Sequence, residues 1–153
     1  MAIHDIITAE EAADRLAIRE LVDAYAHHAD FREPELQADL FADGARTLVH
    51  LGEGGEPAQV LTTREAHVEG FSGLSRYAAT THLNGQFTIT LDGGTATGEG
   101  YCMAHHILES DEGRMLIVMS IRYEDRYAKQ DGAWLFAERK LIITWTDTRA
   151  SRP

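Results

Sequence analysis

Apolar positions change their period once along this chain, from three or four residues in the first half to two in the second, and the change falls near His82. Before it, Ala12, Leu16, Ala17, Leu21, Ala24 and Tyr25 recur at helical spacing, with Glu10, Asp14, Arg15, Glu20 and Asp23 between them. Thr8 followed three residues later by Glu11 is the signature of a capping box, so an amphipathic helix of about five turns is predicted up to Asp30. The pattern breaks at Phe31-Arg32-Glu33-Pro34. Pro34 suits the first turn of a short helix holding Leu36, Leu40 and Phe41, which Ala42-Asp43-Gly44 closes. Arg46 to Leu51 reads as a first strand and Gly52 to Pro57 as a polar loop. Thr63 to Phe71 reads as a third helix capped by Thr62 or Thr63, and Gly73 to Ala79 as a connector.

After His82, Phe87, Ile89 and Leu91 alternate with Thr88 and Thr90, and Asp92-Gly93-Gly94 signals a hairpin into a returning strand, Thr95 to Leu108. Asp111-Glu112-Gly113 turns the chain into Met115 to Lys129, and Asp131-Gly132 into Trp134 to Trp145. Three such turns specify an antiparallel meander whose apolar face the earlier helices must cover. The expected class is α+β, a helical layer over a strongly curved antiparallel sheet. One domain is expected, with a core from about residue 8 to residue 147 and a short polar tail.

Composition narrows the function classes. The 153 residues are 44% hydrophobic, enough for a sizeable core without staples. The lone Cys102 forms no internal disulfide and suits a reducing compartment. No apolar run approaches a membrane span, and Met1 to Glu11 carries acids where a secretory signal carries bases, so a cytoplasmic protein without a membrane partner is expected. A net charge of -11 disfavours nucleic acid as a partner, because the whole field repels phosphates. Eight histidines invite a metal reading, but no His-x-x-His or His-Glu-x-x-His spacing occurs. Adjacent strand histidines also point to opposite faces, so no metal site is expected. Gly52 to Gly55 lacks the Lys-Ser or Lys-Thr of a phosphate loop.

The polar residues set among core-like sequence are Tyr25, Asp30, His82 and Arg139. A carboxylate that orients a histidine, beside a tyrosine hydroxyl and a guanidinium, has the parts to move one proton and to stabilise the charge left behind. Each residue also has a plainer reading. Asp30 and His82 can be solvated end residues, and Tyr25 can be core with a locally bonded hydroxyl. Strict alternation puts Arg139, Leu141, Ile143 and Trp145 on one face, where Arg139 needs an oxyanion or a buried carboxylate as partner. Of His105 and His106 only one can face inward, and His106 shares parity with the small residues Cys102 and Ala104. His27 and His28 read as helix surface.

This order of elements resembles the SnoaL-like branch of the nuclear transport factor 2-like superfamily, whose cone-shaped, cystatin-like α+β barrel serves scytalone dehydratase, bile acid 7α-dehydratase and hexachlorocyclohexane dehydrochlorinase. The residues that carry the resemblance run from Ile18-Arg19-Glu20-Leu21 and Tyr25-Ala26-His27-His28-Ala29-Asp30 to Arg122-Tyr123-Glu124-Asp125-Arg126-Tyr127 and Asp131-Gly132-Ala133-Trp134. Asp30 matches the family's helix-end aspartate, and Thr81-His82-Leu83 matches the histidine that opens a strand. Glu138-Arg139-Lys140 matches the closing strand that carries an arginine in some of these lyases, Tyr25 stands where bile acid 7α-dehydratase has a tyrosine, and His106 matches a recurring strand histidine.

The resemblance implies cofactor-free chemistry, a lyase or isomerase acting on a small, largely apolar cyclic compound such as a polyketide, steroid or aromatic precursor. His82 would be the base, Asp30 its orienting partner, Tyr25 and His106 donors, and Arg139 the support of an enolate. Phe31, Phe71, Leu74, Tyr77, Cys102, Met119, Tyr123, Leu141, Ile143 and Trp145 are the expected pocket residues. The other class in view is a non-catalytic binding module, or an oxygenase small-subunit-like module of the same fold. Tyr101, Met103, His105, Leu116 and Val118 leave apolar groups on the outer face, which predicts a homo-oligomer; the resemblance to the dehydratases implies a homotrimer, with a homodimer as the alternative.

Overall fold

The computed structural model describes residues 7–152, and helices α1 (Ala9–Phe31) and α2 (Pro34–Ala38) come first in the chain. Thr8 caps α1 reciprocally. Its hydroxyl accepts from the Glu11 amide at 3.1 Å, and its own amide donates to the Glu11 carboxylate at 3.0 Å. Ile18, Leu21, Val22, Tyr25, Ala26 and Ala29 form the buried stripe of this helix. Arg32 ends it in the left-handed conformation, with φ of 61°, and its amide bonds the carbonyls of Ala29 and His28.

Strand β1 (Phe41–Leu51) begins earlier than expected, at Phe41 rather than Arg46. Phe41 pairs with Phe136 of the last strand, and the register then shifts before Arg46 meets Glu138. A short strand β2 (Gln59–Leu61) follows, too brief to show a period in the sequence. Helix α3 (Arg64–Ser72) is capped by Thr63, whose hydroxyl accepts from the Ala66 amide. The expected connector contains one 3-10 turn, Gly73–Arg76.

The meander has the expected order and turns, in β3 (Ala79–Asp92), β4 (Thr95–Ser110), β5 (Gly113–Gln130) and β6 (Ala133–Ala150), with neighbours antiparallel, but β6 runs past Trp145 to Ala150, because Thr148, Arg149 and Ala150 pair with Ile117, Leu116 and Met115 where a polar tail was expected. At the last turn Asp131 and Gly132 both take positive φ, as a two-residue type I′ connection requires. The six strands form one sheet in the order β2-β1-β6-β5-β4-β3. One pairing differs from the all-antiparallel expectation: β1 runs parallel to β6, because the helical segments return the chain to the far edge of the meander. Alternation sends Cys102, Ala104 and His106 of β4 and Ile121, Tyr123 and Tyr127 of β5 inward, and an extra residue in β6, Ala137 between the Phe136–Tyr127 and Glu138–Arg126 pairs, lets both Phe136 and Arg139 face inward. The core gathers α1, Phe71, Tyr127, Trp134 and Phe136 at one end of this curved sheet and leaves the other end to a cavity.

Candidate active site

Asp30, in the last turn of α1, reaches across to β3. Its Oδ2 accepts from the His82 backbone amide at 3.0 Å, and its Oδ1 accepts from the His82 ring at 2.7 Å and from the Thr80 hydroxyl at 2.8 Å. Burial raises the affinity of this carboxyl for a proton, but the three donors together outweigh it and hold Asp30 below its ordinary range. An ionised carboxylate only accepts, so His82 donates from Nδ1, and its Nε2 has no protein partner among the described residues. Behind Asp30, the Arg32 guanidinium donates to the Thr80 hydroxyl at 2.8 Å and to the carbonyls of Ala29, Asp30 and Tyr77. Thr80 sits two residues before His82 on the same strand face, a spacing that could have revealed it, whereas nothing in the sequence marks Arg32.

His82 faces an open-mouthed cavity of about 210 Å³. Of the expected pocket residues, Phe71, Leu74, Tyr77, Met119, Tyr123, Leu141 and Ile143 line it, together with Tyr25 and His106, which were expected as donors. Gln37, Thr47, Leu61, Arg76 and Ile121 line it as well and were not anticipated, since most sit in segments without a periodic pattern. His106 is buried, with its ring 4.6 Å from Tyr77 and 5.5 Å from His82. Burial, assisted by the neighbouring His82, pushes its pKa down to about 4, so it stays a neutral imidazole.

Several expected positions need correction. Phe31 is 66% exposed and stacks on His27 at 4.4 Å, because it falls on the outer side of α1 at its last turn. Trp145 is 52% exposed: Ser120 pairs with Trp145 and Ile121 with Ile143, so Thr144 is an extra residue that breaks the alternation and turns the indole to the outer face. Cys102 faces inward but does not line the cavity, being packed with Ala104, Ile121 and Tyr123, and burial pushes its thiol pKa up to about 11.

Arg139 does not reach the cavity. It is fully buried, and its fork meets Asp125 through Nε at 3.0 Å and Nη2 at 2.7 Å. Its guanidinium carbon lies 4.3 Å from the Tyr25 ring, 3.8 Å from Tyr123 and 4.3 Å from Phe136. The Tyr127 hydroxyl completes the carboxylate by donating to Asp125 at 2.7 Å. This is the buried-carboxylate alternative, and it leaves Arg139 to act on the cavity through two tyrosine rings. Burial raises the pKa of both Tyr25 and Tyr123, so both present neutral hydroxyls. Among the described residues, no group of three or more His, Cys, Asp or Glu could hold a metal ion, and no helix is long and apolar enough to cross a membrane.

A family model for the SnoaL-like domain matches residues 10–140, and the chain belongs to that family. None of the curated proteins compared with the sequence matches it. Among solved structures, a protein of Novosphingobium aromaticivorans assigned as a scytalone dehydratase aligns with a TM-score of 0.80 at 24% identity, covering 96% of this chain and 97% of that one. A type 2 hexachlorocyclohexane dehydrochlorinase aligns with a TM-score of 0.79 at 20% identity over 93% of each chain. A single-residue variant of a Mycobacterium tuberculosis protein of unknown function aligns with a TM-score of 0.71 at 26% identity, covering 94% of this chain and 75% of that one. These likenesses establish the cone-shaped fold.

The neutral His106 makes acid stability a test of this geometry. The unfolded chain takes up a proton at this residue below pH 6.5 while the folded one resists until about 4, so its contribution to stability is lost as pH falls through that window. Urea unfolding is expected to show wild type losing stability relative to His106→Gln between pH 6.5 and 4. Parallel stability curves would place the imidazole in water instead.

Proposed function

We infer that this protein is a cofactor-independent lyase or isomerase of the dehydratase type, with His82 as general base and Asp30 as its orienting partner. The contact that carries this reading is the 2.7 Å bond between Asp30 Oδ1 and His82 Nδ1, on an imidazole whose other nitrogen has no protein partner among the described residues and which lines the cavity. A proton on a ring carbon, next to a carbonyl or a leaving group, passes to His82 Nε2. The electron pair left behind forms an enolate or expels the leaving group, and the Tyr25 hydroxyl donates a hydrogen bond to the oxygen that gains charge. His106, as a neutral imidazole, offers a second hydrogen bond. Arg139 acts as a positioning residue, holding the Tyr25 and Tyr123 rings and favouring negative charge nearby.

The names of the fold neighbours, dehydratase and dehydrochlorinase, support elimination chemistry for this chain as well. The cavity supports a single-ring substrate: about 210 Å³ compares with the roughly 150 Å³ that accepts benzene in an engineered protein core. A four-ring steroid would have to extend through the open mouth. The formed dyad and the open cavity also favour catalysis over a purely scaffolding role.

The outer sheet face supports a closed homo-oligomer. Leu83, Tyr101 and Trp145 are exposed there beside the half-buried Met103, His105 and Leu116, an apolar surface of the kind monomers rarely leave in water. We expect a homotrimer, with a homodimer as the alternative.

In deuterated water the protein is expected to exchange the α-protons of a single-ring ketone, with His82→Ala and Asp30→Asn each slowing exchange by about two orders of magnitude or more. Exchange that survives both changes contradicts the dyad. Light scattering should give about three times the 17.0 kDa chain mass; twice that mass decides for the dimer, and the chain mass alone contradicts assembly.

A further inference from the structure

The cavity wall carries a single fixed charge. Among its lining residues no Asp, Glu or Lys occurs, and Arg76 is the one arginine. The chain as a whole is strongly acidic, at -11; Arg46, Arg64 and the half-buried Arg122 meet carboxylates, at Glu138, Asp39 and Glu53, while Arg126 and Arg149 are exposed without an ion pair among the described residues but do not line this cavity. Arg76 pairs with no carboxylate among the described residues, although Glu69 lines the adjoining crevice.

Its position is nevertheless held. Nη2 donates to the Tyr77 hydroxyl at 2.8 Å, and the guanidinium lies 4.8 Å from the Tyr77 ring. Tyr77 in turn packs on His106, and His106 on His82, so one wall leads from the arginine at the mouth to the dyad. Much of the remaining lining is apolar, with Leu61, Phe71, Met119, Leu141 and Ile143. His106 stays neutral and Arg139 is neutralised by Asp125, so neither competes with Arg76 for an anion. A guanidinium with free donors at the rim of an apolar cavity matches a planar anionic group, because its fork pairs with two oxygens at once.

We propose that the substrate is a single-ring compound bearing a carboxylate or similar anionic oxygen group, which Arg76 binds at the mouth while the ring lies against the apolar wall and a ring carbon meets His82. The inference rests on the reading of His82 as base for the reactive end, but the anion site stands apart from the dyad and can be tested without turnover.

Isothermal titration with benzoate and with its neutral isostere benzamide reads the site directly. Wild type is expected to bind benzoate at least about tenfold more tightly than benzamide. Arg76→Gln should abolish that preference while leaving benzamide binding unchanged, and Arg64→Gln, at an exposed arginine outside the cavity, should leave both ligands unaffected. Equal affinity for the two ligands in wild type, a preference that survives Arg76→Gln, or binding of neither ligand would overturn the proposal. His82→Ala should retain the benzoate preference. Loss of α-proton exchange with the preference intact would therefore indict the dyad alone, and loss of the preference with exchange intact the anion site alone.

Discussion

The carboxylate of Asp30 is the tie on which the site depends. A helix end and a strand start are brought together by three hydrogen bonds to one side chain, and the same bonds that lock α1 onto β3 fix which nitrogen of His82 carries its hydrogen. Structure and chemistry are inseparable here. Removing the carboxylate frees the ring to rotate and also unpins the helix terminus, where the left-handed Arg32 already depends on a chain of donors through Thr80.

A deeper contact, the ion pair of Arg139 with Asp125, lies behind the cavity wall. Arg139 and Asp125 are both fully buried, which is tolerable because the fork is bidentate, the carboxylate gains the Tyr127 hydroxyl, and three aromatic rings enclose the cation. Breaking such a pair by removing one partner costs about 3–5 kcal/mol, since the other charge is left without compensation. The rings that enclose the guanidinium include Tyr25 and Tyr123, whose other surfaces line the cavity. The charge therefore shapes the cavity and biases its electrostatics without meeting the ligand.

The meander and the capped first helix were legible in the sequence because each rests on a local rule, alternation with turn glycines and a capping box, whereas the contact of Asp30 with His82 joins residues 52 apart and was suggested only by the resemblance to a family. The edge pairing was not. The parallel contact of β1 with β6 joins segments far apart in the chain, as in Arg46 with Glu138, and no local pattern encodes it. The extra residue at Thr144 was equally hidden, since it breaks alternation without any glycine or proline to mark it, and so Trp145 was assigned to the wrong face. Arg139 illustrates a different limit. Its parity was read correctly, but the choice between a buried carboxylate and an oxyanion depends on Asp125, whose inward position follows only from the β5–β6 register. Arg76 lay in a segment with no period, where the sequence offers no orientation for any side chain.

The claim that joins these observations is that Asp30 holds His82 with its hydrogen on Nδ1 and its Nε2 lone pair toward the cavity. Nitrogen-15 NMR of the histidine rings at neutral pH reads this tautomer without any substrate. The account predicts a protonated Nδ1 and an unprotonated Nε2 for His82 in wild type, with that preference lost in Asp30→Asn. A His82 ring protonated on Nε2, or one whose tautomer is indifferent to Asp30, would contradict it.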